Sequence, residues 1–99
     1  MVRRSSTIKL ESDIQSRILK KLKSRGYFPV KLISTNCNGI PDIMVVEPRG
    51  FVSWIEVKRP GKTSDPLQDV RQEQLKDYGC TVSRDVIDWE EIEHLYPQI

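Results

Sequence analysis

The spacing of apolar residues divides the chain into a series of regular elements. Between Leu10 and Arg25, Ile14, Ile18, Leu19 and Leu22 recur at helical spacing and Gly26 follows as a stop, so a first helix is predicted there. Tyr27 to Ile33 reads as a strand, with Pro29 favouring an edge position or a bulge near its start. Two β-branched runs, Ile43 to Val46 and Phe51 to Val57, flank Pro48-Arg49-Gly50, the pattern of a hairpin in which Gly50 is the left-handed residue. Ser64 or Asp65 as N-cap, with Pro66 in the first helical position, opens a second helix that ends near Tyr78, before Gly79. Its buried stripe is expected to be Leu67, Val70 or Arg71, Gln74, Leu75 and Tyr78. Cys80 to Arg84 reads as a short fourth strand, and Asp88 with Glu91 has capping-box spacing for a last helix containing Trp89, Ile92 and Leu95. The order α-β-β-β-α-β, with a short C-terminal helix, predicts an α/β fold in which a mixed sheet packs against helices. The passage from the third strand to the fourth is expected to be parallel and right-handed.

The length of 99 residues makes this a single domain, 1–99, with residues 1–9 read as a basic arm whose Arg3, Arg4 and Lys9 touch phosphates, or simply as a solvated terminus. With 37% hydrophobic and 30% charged residues, the composition is that of a globular protein and excludes a disordered or membrane-embedded one. No apolar run approaches a bilayer span, and Met-Val-Arg-Arg-Ser-Ser has no hydrophobic segment after it, so an intracellular, cytoplasmic protein is expected. Cys37 and Cys80 lack metal-ligand spacing and have only His94 as a soft companion, which argues against zinc. The net charge of +2 is uninformative, but its distribution is not: Arg3-Arg4, Lys20 to Arg25 and Lys58 to Lys62 are basic, whereas Asp85 to Glu93 is acidic, and one basic face is expected. No Gly-rich phosphate loop, nucleophilic triad or internal repeat is visible, and no organic cofactor is expected.

The hairpin carries the chemistry. With its loop centred on Arg49, Asp42 falls opposite Glu56 on one face of the sheet, with Cβ atoms about 5 Å apart. Lys58, two residues beyond Glu56, projects to the same face. Two carboxylates held that close repel one another unless a cation intervenes, and oxygen-only ligands suit Mg²⁺ or Mn²⁺. An ammonium group beside such an ion orients or helps deprotonate an attacking water and stabilises charge developing on phosphate.

Pro41-Asp42 followed by Glu56-Val57-Lys58 resembles the PD-(D/E)XK nuclease signature. The wider set, Gly39-Ile-Pro-Asp-Ile, Ile55-Glu-Val-Lys-Arg-Pro-Gly-Lys, Pro66-Leu-Gln and Gly79, is similar to the virus-type replication and repair nuclease domain, VRR-NUC, over about Leu10 to Glu93. The resemblance implies a restriction-endonuclease-like core and metal-dependent hydrolysis of DNA, selective for branched, flap or four-way-junction structures. It implies that Asp42 and Glu56 bind Mg²⁺ or Mn²⁺, that the Val57 carbonyl adds a ligand and that Lys58 activates water. It also implies that Glu11 on the first helix completes the acidic cluster, directly or through water. Against that, Ser12 and Gln15 have capping-box spacing, which would leave Glu11 just outside the helix in a surface or capping role. Gln68, with Gln72 next, matches the family's glutamine that approaches the site. Junction-cleaving relatives suggest a homodimer, and the family's occurrence suggests a phage or bacterial origin.

The remaining candidates have two readings each. Arg59, Lys62 and Arg71 would hold the DNA backbone or form a solvated basic surface, and Asn38 would reach DNA or belong to an ordinary polar turn. Trp54, on the strand face of Glu56, is expected to pack under the first helix or to stack on a base. Trp89 is expected in the core and His94 at the surface. A different class of function stays open: a DNA-binding accessory module that has the fold and needs a partner for activity.

Overall fold

The first helix begins without a side-chain cap. In the computed structural model, which describes residues 10–62 and 65–99, α1 spans Glu11–Ser24 and Leu10 is its N-cap, with the Leu10 carbonyl accepting from Asp13 and Ile14 N–H. The Ser12–Gln15 capping box is therefore not formed, and Glu11 is the first helical residue, where its charge and that of Asp13 complement the helix dipole. Ile14, Ile18 and Leu22, four residues apart, form the buried stripe. The helix ends in a reciprocal pair, Gly26 N–H to the Lys23 carbonyl and Tyr27 N–H to the Leu22 carbonyl. That closure needs φ of +98° at residue 26, which glycine accepts without a Cβ clash.

Four strands follow: β1 (Phe28–Lys31), β2 (Ile43–Val46), β3 (Val52–Val57) and β4 (Thr81–Val86), lying side by side in that order. The first two pairings are antiparallel and the third is parallel. A parallel neighbour needs a crossover, and α2 (Pro66–Asp77) supplies it. Asp65 caps α2 by accepting from Leu67 N–H, and Pro66 fills the first position, as the sequence predicts. Pairing of Ile43 with Ile55 and of Val46 with Val52 is the register expected from a loop centred on Arg49.

Alternation along these strands gives the sheet two unlike faces. One carries Ile43, Val45, Ile55, Val57 and Val86, which bury against the α1 stripe together with Trp89, Ile92 and Tyr96 from the C-terminal segment. Complete burial of each such side chain contributes about 1.5–3 kcal/mol. Tyr96 meets Tyr27 edge-on with centroids 5.3 Å apart, and its hydroxyl shares a 2.6 Å hydrogen bond with Ser53 Oγ. The other face carries Trp54 and Glu56 and looks toward α2, so Trp54 does not pack under the first helix.

The C-terminal segment forms two short 3-10 turns, Trp89–Glu91 and Glu93–Leu95, instead of the expected helix. The Asp88 carboxylate accepts from the adjacent Trp89 N–H, and Glu91 reaches back to Ile87 N–H, so the reciprocal box is not made. The buried stripe predicted for α2 is only partly formed, with Arg71 and Leu75 half-buried. Leu67, Val70 and Tyr78 are exposed, whereas Gln72 is fully buried and Gln68 half-buried. Gln68 on this inward face bonds Glu56 and Lys58, whereas the Gln72 amide is buried without a hydrogen-bond partner.

β4 carries one extra residue opposite Glu56, because Ile55 pairs with Ser83 while Val57 pairs with Val86. Asp85 sits in this bulge with φ of +54°. The bulge keeps Asp85 exposed and brings Val86 into the core, where an uninterrupted strand would have buried the carboxylate beside Val57. Among the described residues no helix is long and apolar enough to cross a membrane.

Candidate active site

Asp42 and Glu56 occupy one end of the hairpin, at the positions next outward from the Ile43–Ile55 pair. Asp42 follows the buried Pro41 and is pinned at both its backbone and its side chain: its carbonyl accepts from Leu32 N–H at 2.8 Å, and Oδ2 accepts from Val57 N–H at 2.8 Å. Burial raises the Asp42 pKa above the ordinary carboxylate range, the Val57 N–H opposes that rise, and the Glu11 charge adds to it. Gln15 also lowers it, which places this glutamine, one helical turn beyond Glu11, among the groups acting on Asp42.

Glu56 is 2% exposed and its pKa is pushed up to about 7, first by burial and then by Asp42, against the opposing effects of Lys58 and Gln68. Gln68 from α2 connects the two charged groups. Its Nε2 donates to Glu56 Oε2 at 2.8 Å, while its Oε1 accepts from Lys58 Nζ at 2.9 Å. Lys58 Nζ lies 3.7 Å from the same Glu56 Oε2 and is held by a side chain that is nearly inaccessible to solvent. The second oxygen, Glu56 Oε1, is buried and has no hydrogen-bond partner. A buried anionic oxygen without a partner is costly and is a natural position for a cation.

These groups line an open cleft of about 450 Å³ together with Glu11 and Lys62. The cleft collects Glu11 from α1, Asp42, Glu56 and Lys58 from the β2–β3 hairpin and its ends, and Gln68 from α2. Among the described residues, however, no three carboxylate, histidine or cysteine groups are close enough to hold an ion between them. Asp42 and Glu56 are therefore the paired carboxylates, and Glu11 stands at the cleft wall. Val57 gives its N–H to Asp42 and its side chain to the core.

The expected DNA-contacting residues separate into different groups. Arg59 and Lys62 are exposed on the turn after β3, and Lys62 borders the cleft. Arg71 is committed internally, its Nε to the Asn38 carbonyl and its NH1 to Gln74 Oε1, each at 2.9 Å. It thus ties the β1–β2 loop to α2 through two neutral oxygens. Asn38 lies in that loop with its side chain exposed, and Lys9 is outside the described residues. Sequence reasoning did not single out Gln15, although its spacing of four from Glu11 is the available signal. The full burial of Gln72, four residues beyond Gln68, was likewise not anticipated.

The fold and the cleft together define a class: an α/β domain whose sheet presents paired carboxylates and a tethered lysine beside a helix-borne glutamine. A relative from Acyrthosiphon pisum secondary endosymbiont phage 1, described as "Putative nuclease p44", is 26% identical over 89 residues, covering 90% of this chain and 94% of the relative. A solved structure described as a VRR_NUC domain superposes with a TM-score of 0.73 at 27% identity, over 86% of this chain and 91% of that one. No family model matches the sequence. By fold and by these likenesses the chain is similar to the VRR-NUC domain and to a phage nuclease.

Proposed function

We propose that this protein is a DNA endonuclease that hydrolyses phosphodiester bonds with Mg²⁺ or Mn²⁺. The observation that carries the reading is the Asp42–Glu56 pair beside Lys58, with one buried Glu56 oxygen left without a partner. Asp42 and Glu56 are the residues that would hold the ion, with the Val57 carbonyl as a further ligand and Glu11 acting through water. A bound ion would supply Lewis-acid stabilisation of the phosphate and a more acidic water. Lys58 is held by Gln68 in position to orient the attacking water and to offset charge on the phosphate. Lys62 borders the cleft, and it and the exposed Arg59 on the same turn would serve as cations for the DNA backbone. The phage relative's nuclease description supports the same reaction class.

The experiment is a cleavage assay on linear, flapped and four-way-junction DNAs with Mg²⁺, Mn²⁺ or EDTA, comparing wild type with Asp42→Ala. Metal-dependent cutting that Asp42→Ala abolishes is the expected outcome. Retained cutting by the variant would remove this site assignment. The alternative reading is a DNA-binding module that has the fold and needs a partner for activity. DNA binding without cleavage under every metal condition would select it.

A homodimer belongs to the same proposal. Phe28 is 66% and Val52 40% exposed, and the strand register places both beside Val46 on the α2-facing side of the sheet. A second copy covering this apolar strip would give two sites to a branched substrate. Sedimentation should show a dimer that Phe28→Glu dissociates; a monomer at micromolar concentration would exclude it.

A further inference from the structure

Asp42 has a second depression on its other side. The loop joining β1 to β2 encloses about 320 Å³ between Ile33, Ser34, Thr35, Asn38 and Asp42, and this space shares Asp42 with the catalytic cleft. Its size is near the lower end of small-molecule sites, roughly 300–1,000 Å³. The lining holds no lysine, arginine or histidine, and its one charged side chain is the Asp42 carboxylate. A phosphate there would meet an anion and no cation. Neutral hydrogen-bonding groups, by contrast, are plentiful: Ser34 and Asn38 keep their side chains exposed.

The loop is built to hold this shape. Thr35 Oγ1 donates to the Cys37 carbonyl and accepts from Cys37 N–H. Arg71 holds the Asn38 carbonyl from α2 at 2.9 Å. Gly39 packs so closely that an added Cβ would lie 2.8 Å from the Leu67 carbonyl oxygen. At the rim, Ile33 is 87% exposed, an aliphatic side chain facing solvent beside the polar pocket. An exposed aliphatic group at that place matches the wedges that nucleic-acid-binding proteins insert between bases.

We propose that this pocket receives an unpaired DNA base from the nucleotide adjoining the scissile phosphate, with Ile33 replacing its stacking neighbour and Ser34 and Asn38 bonding its edge. The inference rests on the nuclease reading of the neighbouring cleft and deepens it by naming the pocket and the residues that would receive an unpaired base. A base must leave its stack to enter, so cutting is favoured where a nucleotide is already unpaired, at a flap, gap or branch point. Duplex DNA carries an added unstacking penalty at the same site.

The test uses flapped DNA with 2-aminopurine as the unpaired base next to the cut, bound to the protein in EDTA so that no cleavage occurs. Binding should change the 2-aminopurine fluorescence, and Ser34→Trp, which fills the pocket, should abolish the change. Asn38→Ala and Ile33→Ala, both at exposed loop positions, should each weaken flap binding by about fivefold, the worth of one neutral hydrogen bond or a comparable contact. Replacing the base by an abasic site should weaken binding similarly; equal affinity for the two DNAs, or fluorescence unchanged by Ser34→Trp, overturns the proposal. Metal-dependent cleavage with no base-dependent binding would leave the nuclease reading standing and remove the pocket. A base signal sensitive to Ser34→Trp, without cleavage under any metal condition, would support the pocket and remove the nuclease reading.

Discussion

Replacing Glu56 by Gln should stabilise the metal-free protein at neutral and alkaline pH while removing its metal response. Burial and the adjacent Asp42 raise the Glu56 pKa from 4.5 to about 7. Between those values the folded state retains a proton that the unfolded chain has released, so stability is greatest on the acid side and falls as pH rises through about 7. At 1.36 kcal/mol per pKa unit, ionised Glu56 costs the fold about 3 kcal/mol above pH 7. Asp42 shifts in the same direction and adds to this fall. The glutamine variant does not ionise, but it leaves the buried Lys58 ammonium with only the Gln68 oxygen, so the expected net gain at pH 8 is about 1–2 kcal/mol. Urea unfolding in EDTA from pH 5 to 8 measures it, and the wild-type minus variant difference isolates this carboxyl from the other titrating groups. Added Mg²⁺ or Mn²⁺ should restore wild-type stability at pH 8 and leave Glu56→Gln almost unchanged. The reasoning fails if wild-type stability relative to the variant is constant or rises across this range.

Further expectations follow from single contacts. Lys58→Met should reduce cleavage by about 10²–10⁴-fold, the usual worth of a positioned acid–base or electrostatic group, while metal addition still raises the melting temperature; loss of that metal response would make Lys58 part of ion binding instead. Gly39→Ala, at φ of +87° and against the Leu67 carbonyl, should cost about 1–3 kcal/mol of stability, and an unchanged urea midpoint would show that the loop is not anchored on α2. Leu22→Ala empties a fully buried position in the α1 stripe and should cost about 2–5 kcal/mol in the same measurement.

What the sequence determined by itself was mostly what depends on local spacing. Ile14, Ile18 and Leu22 mark a buried helical stripe whatever they pack against, and Pro66 after Asp65 marks a helix start through chemistry confined to one turn. The Pro48-Arg49-Gly50 loop set the hairpin register, and the register alone placed Asp42 opposite Glu56. The site was therefore legible because two of its main residues lie on one hairpin.

Tertiary structure decided the properties that arise where separate elements meet. The α2 pattern suggested that Leu67, Val70 and Tyr78 face inward, yet the helix turns Gln68 to Glu56 and Lys58 at that end of the sheet and buries Gln72 one turn beyond it. Arg71 looked like a free cation until the β1–β2 loop supplied the Asn38 carbonyl to hold it. The C-terminal capping pattern did not close an α-helix, because Glu91 bonds Ile87 N–H and Asp88 bonds the adjacent Trp89 N–H, and Ile92 and Tyr96 instead completed the core beside two 3-10 turns. The bulge at Asp85 has no local signature either, because it answers a demand from the opposite strand: Val86, not the carboxylate, must enter the core beside Val57. Local sequence can specify a stripe, a cap or a turn, but which face of a polar helix is buried depends on the charges waiting across the gap.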